Sequence, residues 1–347
     1  MRTVVIGHFD LKNGTMIGAT VKVREIYKQL QISLTDNIIE RIDIFGWKKN
    51  IMSIVFKIIL AFFKADNILL VISDTGFMLM GLLAVLKKIF RRRIWYIAVG
   101  GNMGKNLSQD NSSISTLRFI DAFFVENSDC VDDMKKLGYD NVHLMRNFKH
   151  IKPITENDID YPIHEYKFCT FSRVNKDKGI SEAINAIEYV SSCFPNKNIS
   201  LHIYGAVDES YKKEFFELIE KSVHSLYCGV IDSDKSVEAL KKYYCMLFPT
   251  KFQTEGIPGT IIDAFASGLP VICSNWQRCR QLITEYYDGL VYPFADYSGL
   301  VSKIQFAIEN PNTVLEMKKN CIEAYQVYRP ENAIKPLIDC MVRGKND

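Results

Sequence analysis

The chain has nine cysteines in 347 residues, yet no Cys-x-x-Cys pair and no Cys/His cluster at metal-ligand spacing. The lack of such spacing argues against structural zinc, and an odd, dispersed set argues against a disulfide framework. Cys169, Cys245 and Cys273 lie in apolar runs, the context of reduced thiols in a cytoplasmic protein. Long apolar stretches are scarce as well. Lys57, Asp66 and Asp74 interrupt the richest region, short of the roughly 20 residues that a spanning helix needs. The first residues, MRTVVIGHFD, hold too short an apolar region for a secretory signal and read as a first strand. The formal charge of +3 is too small to argue for a nucleic-acid partner. No Gly-x-Gly-x-x-Gly turn is present, which counts against a nicotinamide oxidoreductase. Acid-x-acid triplets occur at Asp158–Asp160 and Asp232–Asp234, the first in a polar connector and the second opening a helical pattern. Neither follows a strand as a metal-held diphosphate would require, so both read as structural and no catalytic metal is expected.

Alternating apolar strands and amphipathic helices run through the whole length, the pattern of an α/β protein. Strands are expected at 3–7, 38–44, 68–73, 94–99, 122–126 and 142–145, and again at 168–172, 200–204, 244–249, 271–274 and 290–292. The periodicity breaks over 146–163, where Pro153, Pro162 and an acidic run intervene, so the chain reads as two Rossmann-like halves. After Tyr325 a capped helical pattern closes the chain.

The most informative stretch is Phe248 to Val271: a buried strand end, a Gly/Pro-rich loop carrying Glu255, and a helix carrying Asp263. Ligands of open α/β sheets gather at such turns, where a helix start offers free N–H groups. The amides of Gly256, Ile257 and Gly259 can cradle a phosphate there, while Pro258 shapes the turn without an N–H to give. Upstream, the strand Lys167–Ser172 leads into Arg173-Val174-Asn175-Lys176-Asp177-Lys178-Gly179, so Arg173 and Lys178 flank a second strand-to-helix turn. A planar guanidinium and a mobile ammonium suit the separated oxygens of a diphosphate. Each feature has a plainer alternative. Thr260 and Asp263 stand at capping-box spacing, Glu255 can be a solvated loop acid, and the basic pair an exposed turn. Their ordered combination favours the functional reading.

These residues resemble the donor-binding pattern of the retaining family-4 glycosyltransferases: Glu255-Gly256, a second carboxylate eight positions later, then Gly268-x-Pro270-Val271. Asp263 stands where the family usually has Glu. The resemblance implies the GT-B fold, two Rossmann-like domains with parallel sheets facing across a deep cleft. It assigns 1–150 to the acceptor, with a crossover helix at about 328–347, and 164–327 to the nucleotide sugar. It also implies roles: Arg173 and Lys178 neutralise the departing nucleoside diphosphate, Glu255 orients the sugar and Asp263 holds the ribose. Gly205, Gly229 and Val230, at neighbouring strand ends, are placed by topology beside the nucleobase. In the first half Gly14 and Gly18 follow the first strand, and Gly18-x-Thr20-x-Lys22 is similar to a loop that closes over the donor in polysaccharide-assembly members. Gly100-Gly101 resembles the variant of capsule and exopolysaccharide members in which backbone replaces a histidine, leaving none of the six histidines as an obvious catalytic group. His8 is the nearest by position.

The function so implied is transfer of a hexose-type sugar from a UDP- or GDP-sugar to a saccharide or lipid-linked acceptor. Configuration is retained, with no cofactor beyond the donor. Two alternatives stay open, a non-catalytic partner subunit of the same fold and a GT-B nucleotide-sugar epimerase. Two segments bear on location. The stretch from Trp47 to Lys64, and the run from Leu82 to Arg93, couple apolar helices to dense basic ends. They fit peripheral contact with an anionic membrane at its inner face, or equally core-facing helices whose lysines snorkel.

Overall fold

Twelve strands in the computed structural model of the chain form two parallel sheets of six among the described residues, which are 1–11, 18–73, 80–109, 115–159 and 165–343. Gly14, Asp160 and Pro162 lie outside them. The chain divides into two units, Met1–Lys149 with Tyr328–Asp347, and His150–Val327.

In the first unit the sheet order is β2-β1-β3-β4-β5-β6. The strands are β1 (Arg2–Gly7), β2 (Ile38–Asp43), β3 (Asn67–Ile72), β4 (Arg93–Ala98), β5 (Ala122–Val125) and β6 (Val142–Leu144). β3 is buried at every residue, because a parallel strand in mid-sheet is covered on both faces. Successive side chains of β1 go to opposite faces, so Val4 and Ile6 enter one core and Val5 the other. The first core is closed by α2 (Ile51–Lys64), α3 (Met80–Phe90), α4 (Met103–Gln109) and α5 (Ser128–Lys136). The second is closed by α1 (Gly18–Ser33), through Val23, Ile26 and Leu30. Leu337 and Met341 join it from the C-terminal segment that follows Tyr328.

In the second unit the order is β12-β11-β10-β7-β8-β9. These are β7 (Glu165–Phe171), β8 (Asn198–Tyr204), β9 (Ser225–Gly229), β10 (Cys245–Phe248), β11 (Val271–Ser274) and β12 (Gly289–Tyr292). Five helices of eight or more residues pack on it: α6 (Ile180–Cys193), α7 (Lys212–Lys221), α9 (Gly259–Ala266), α10 (Tyr297–Glu309) and α11 (Pro311–Ala324). The short α8 (Ser236–Leu240) lies between α7 and α9. Of the expected strands, all eleven form, 271–274 with the expected bounds and the others with shifted ends. β9, which the turn at Gly229 implied without giving it bounds, is an edge strand with Leu226 exposed and lacks the continuous apolar run of its neighbours.

The sheet order reverses between β10 and β7, with β8 and β9 growing one way and β11 and β12 the other. This is the switch point at which the turns leaving the carboxyl ends part and leave room for a ligand. One glycine fixes how closely the two turns approach. Gly179 has φ of +65°, and a Cβ there would fall 2.0 Å from the carbonyl oxygen of Pro249. Only glycine lets the turn after β7 lie against the end of β10.

Candidate active site at the switch point

The turn after β7 is built by Asn175, whose side-chain oxygen accepts from the Lys178 N–H at 3.1 Å and caps a short 3-10 turn over Lys176–Lys178. Its amide donates to Asp208 at 3.1 Å. Asp208 lies 3.6 Å from the Arg173 guanidinium, which remains more than half exposed. The turn after β10 places Glu255 opposite. Lys178 Nζ donates to Glu255 Oε2, with the two side chains 19% and 14% exposed. Thr250, fully buried, adds its hydroxyl to the same oxygen at 3.3 Å. The ammonium also stands 5.5 Å from the centroid of the Phe248 ring, over its negative face. An ammonium carries three N–H donors, so the bond to Glu255 leaves others for a ligand. On the far side of β7, the N–H of Gly205 bonds the carbonyl of Gly229 at 2.9 Å and Val230 is exposed. Arg173, Lys178, Glu255, Gly205, Gly229 and Val230 thus line the carboxyl ends of four adjacent strands.

Helix α9 begins after Pro258 with no side chain capping it, so the N–H groups of Gly259 and Thr260 have no acceptor within the helix. Gly256 and Ile257 precede it in the same loop, partly exposed. Thr260 is the second helical residue rather than the cap, so the capping box does not form. Its hydroxyl is buried with no partner among the described residues.

Asp263 occupies a place other than the expected one. The helix is buried from Ile261 onward, and the Asp263 carboxylate, with no exposed surface, accepts from the Ser236 hydroxyl at 2.9 Å. It ties α9 to the start of α8. Thr20 and Lys22 also depart from the expected ligand loop. Both are buried, and Lys22 Nζ bonds the Ala98 carbonyl at 2.7 Å and the Glu126 carboxylate. In the same unit Gly18 opens α1 with no atom of the described residues within 4 Å of where a Cβ would stand, Gly100 has φ of +106°, and the Gly101 carbonyl accepts from Asn127 at 3.2 Å. Burial lowers the His8 pKa against the pull of Asp43 at the end of β1.

Two contributors escaped the sequence reading. Lys251 pairs with Glu182 of α6 at 2.7 Å, anchoring the base of the Glu255 loop. Burial alone would raise the Glu182 carboxyl, but hydrogen bonds from Lys251 and Ser181 outweigh it and hold it below the ordinary range. The other is Arg278, a buried guanidinium 3.4 Å from the Glu255 carbonyl oxygen. Arg278 carries no local pattern that marks it as buried.

Removing one partner of a mostly buried pair strands the other. Lys178→Met is therefore expected to destabilise the chain by about 2 kcal/mol, after discounting for residual exposure. Adding Glu255→Gln should recover most of that in urea denaturation.

Residues 154–326 match the glycosyl transferases group 1 family. An N,N'-diacetylbacillosaminyl-diphospho-undecaprenol alpha-1,3-N-acetylgalactosaminyltransferase of Campylobacter jejuni is 26% identical over 147 residues, 42% of this chain and 36% of that protein. Among solved structures, Anabaena HepE in complex with UDP has a TM-score of 0.75 at 13% identity, covering 99% of this chain and all of that one. Sucrose-phosphate synthase of Thermosynechococcus elongatus has a TM-score of 0.72 at 13% identity, covering 99% of this chain and 98% of that one. The two parallel six-stranded sheets match the GT-B fold of such enzymes. Through the unit that holds Lys178 and Glu255, the chain belongs to the group 1 glycosyl transferases.

Proposed function

We propose that the chain transfers a hexose-type sugar from a UDP- or GDP-sugar to a saccharide or lipid-linked acceptor, with retention of configuration and no metal, in surface polysaccharide assembly of the capsule or exopolysaccharide type. The observation that carries this is the meeting of Lys178 and Glu255 at the switch point. A cation suited to a diphosphate and a carboxylate that can take sugar hydroxyls stand side by side, where α/β sheets bind ligands.

In the proposed reaction the bond from the anomeric carbon to the diphosphate breaks, and the acceptor oxygen bonds that carbon on the same face. The acceptor proton passes to an oxygen of the departing phosphate, so no side-chain base is required. Charge grows on the leaving group, and Lys178, Arg173 and the free N–H groups at the start of α9 stabilise it. Arg173 reaches the diphosphate by leaving Asp208, which is a weak hold for so exposed a pair. Gly205, Gly229 and Val230 border the nucleobase, and Gly18, Gly100 and Gly101 are the first unit's own candidates for substrate contact. The Campylobacter relative, by its name, acts on a lipid diphosphate, which supports a lipid-linked acceptor here.

A membrane-bound acceptor suits the surface of α2 and α3. Met52, Phe56 and Phe63 of α2 are 81%, 61% and 59% exposed, spaced along one helix, and Val85 and Ile89 of α3 are exposed as well. Phe63 packs on Phe90 at 4.5 Å, joining the two helices, while Lys48, Lys49, Lys57, Lys64 and Lys88 are exposed in the same segments. Such a face gains from burying apolar side chains between headgroups, and by about 1 kcal/mol per basic residue on anionic lipid. Among the described residues no helix is long and apolar enough to cross a membrane.

Thermal stabilisation by UDP, GDP, ADP and NAD tests the donor site. At a concentration about 100 times its dissociation constant, one diphosphate should stabilise the wild type by roughly 2.7 kcal/mol and Lys178→Ala scarcely at all. No response to any diphosphate would favour a non-catalytic subunit. For the membrane, co-sedimentation with phosphatidylglycerol-containing vesicles should exceed that with pure phosphatidylcholine. Serine at Met52, Phe56 and Phe63 together should abolish it. Equal binding to both lipids, or an unaffected triple variant, would contradict the assignment.

A further inference from the structure

We infer that Arg278 is a positioning residue, which holds the loop carrying Glu255 from behind and sets the direction of the Gly256 amide. The inference rests on the donor-site reading above. Arg278 is 1% exposed, and its Nη1 lies 3.5 Å from the carbonyl oxygen of Thr254 and 3.4 Å from that of Glu255. These are long hydrogen bonds, but a guanidinium is permanently charged and its field acts on both peptide dipoles at that range.

The end of β11 and the turn after it grip the same loop. Ser274 Oγ donates to the Thr250 carbonyl at 2.6 Å, and the Gln277 N–H donates to the Gln253 carbonyl at 3.1 Å. Trp276, buried, meets Phe248 edge-on at 5.4 Å and fixes the turn against β10. The loop from Thr250 to Glu255 is therefore supported through four of its main-chain carbonyls.

A consequence follows from peptide geometry. In a trans peptide the carbonyl and the next N–H point in opposite directions. With the Glu255 carbonyl turned toward Arg278, the Gly256 N–H is turned away from it, to the other side of the loop. A positive charge behind the peptide also polarises it and makes that N–H a better donor. Arg278 therefore presets an amide at the donor-facing loop without touching the donor, and keeps the Glu255 carboxylate within reach of Lys178.

Hydrogen–deuterium exchange on the full chain reads the loop directly and needs no donor. Arg278→Met should speed exchange over residues 251–257 on the order of tenfold or more, with β7 and β10 unchanged and Arg278→Lys intermediate. Should Arg278→Met fail to fold, Arg278→Lys and Ser274→Ala must each show the same local loosening. Unchanged loop exchange, or acceleration spread evenly over the second unit, would overturn the inference. With the sugar nucleotide whose base the thermal screen selects, Arg278→Met should lower kcat on the order of 10- to 100-fold, a larger factor than it takes from UDP or GDP affinity. In a Glu255→Gln background the same change should cost little more, because both act through one loop. A full additive loss would contradict the role. If no nucleotide binds yet the loop loosens, the donor reading fails and the holding role of Arg278 stands.

Discussion

Everything proposed for this chain depends on a lysine and a carboxylate meeting across the place where a parallel sheet changes direction. Lys178 leaves the end of β7 and Glu255 the end of β10, strands adjacent in space but far apart in sequence. The contact exists because Gly179 lets one turn lie against Pro249 with no side chain between them. Desolvation makes such a pair costly, and in isolation it adds little to stability. Its value is geometric: it holds two groups of opposite charge at one strand end, ready to exchange part of their mutual contact for a charged, hydroxyl-rich ligand.

The surrounding structure holds that geometry with few moving parts. Asn175 caps the Lys178 turn, Thr250 shares the Glu255 oxygen, and Lys251 fastens the loop base to α6. From the other side, Ser274, Gln277 and Arg278 take its carbonyls. By contrast Arg173, more than half exposed, is held by a 3.6 Å contact with half-buried Asp208 and moves at small cost. Rigid support beneath a carboxylate, and a mobile cation at the rim, is an arrangement suited to orienting a sugar while a diphosphate enters and leaves.

Much of the fold was readable because parallel strands buried on both faces leave short apolar runs. β3 and β10 are cases in which every residue is buried. β9 had no such run, since an edge strand need not bury both faces. The turn residues were readable for a different reason, as loops of fixed pattern at strand ends. Their partners were not. Whether Asp263 faces a ligand or Ser236 depends on how deeply α9 sinks into the unit, which local spacing does not encode. Lys22 stands out in sequence because Gly18-x-Thr20-x-Lys22 resembles a donor-closing loop, yet its amine finds Glu126, about a hundred residues on. Nothing in the local sequence around Arg278 marks it as buried. It is buried two residues after Trp276, whose contact with Phe248 joins segments that the pattern of either alone does not link.

The central claim is that the diphosphate of a sugar nucleotide lies between the turns after β7 and β10. A crystal structure with the nucleoside diphosphate that stabilises the chain most would test it directly. The account predicts the distal phosphate within hydrogen-bond distance of Lys178 Nζ and of an N–H at the start of α9, with Arg173 swung from Asp208 toward it. A nucleotide bound elsewhere, with Lys178 still closed on Glu255, would contradict it.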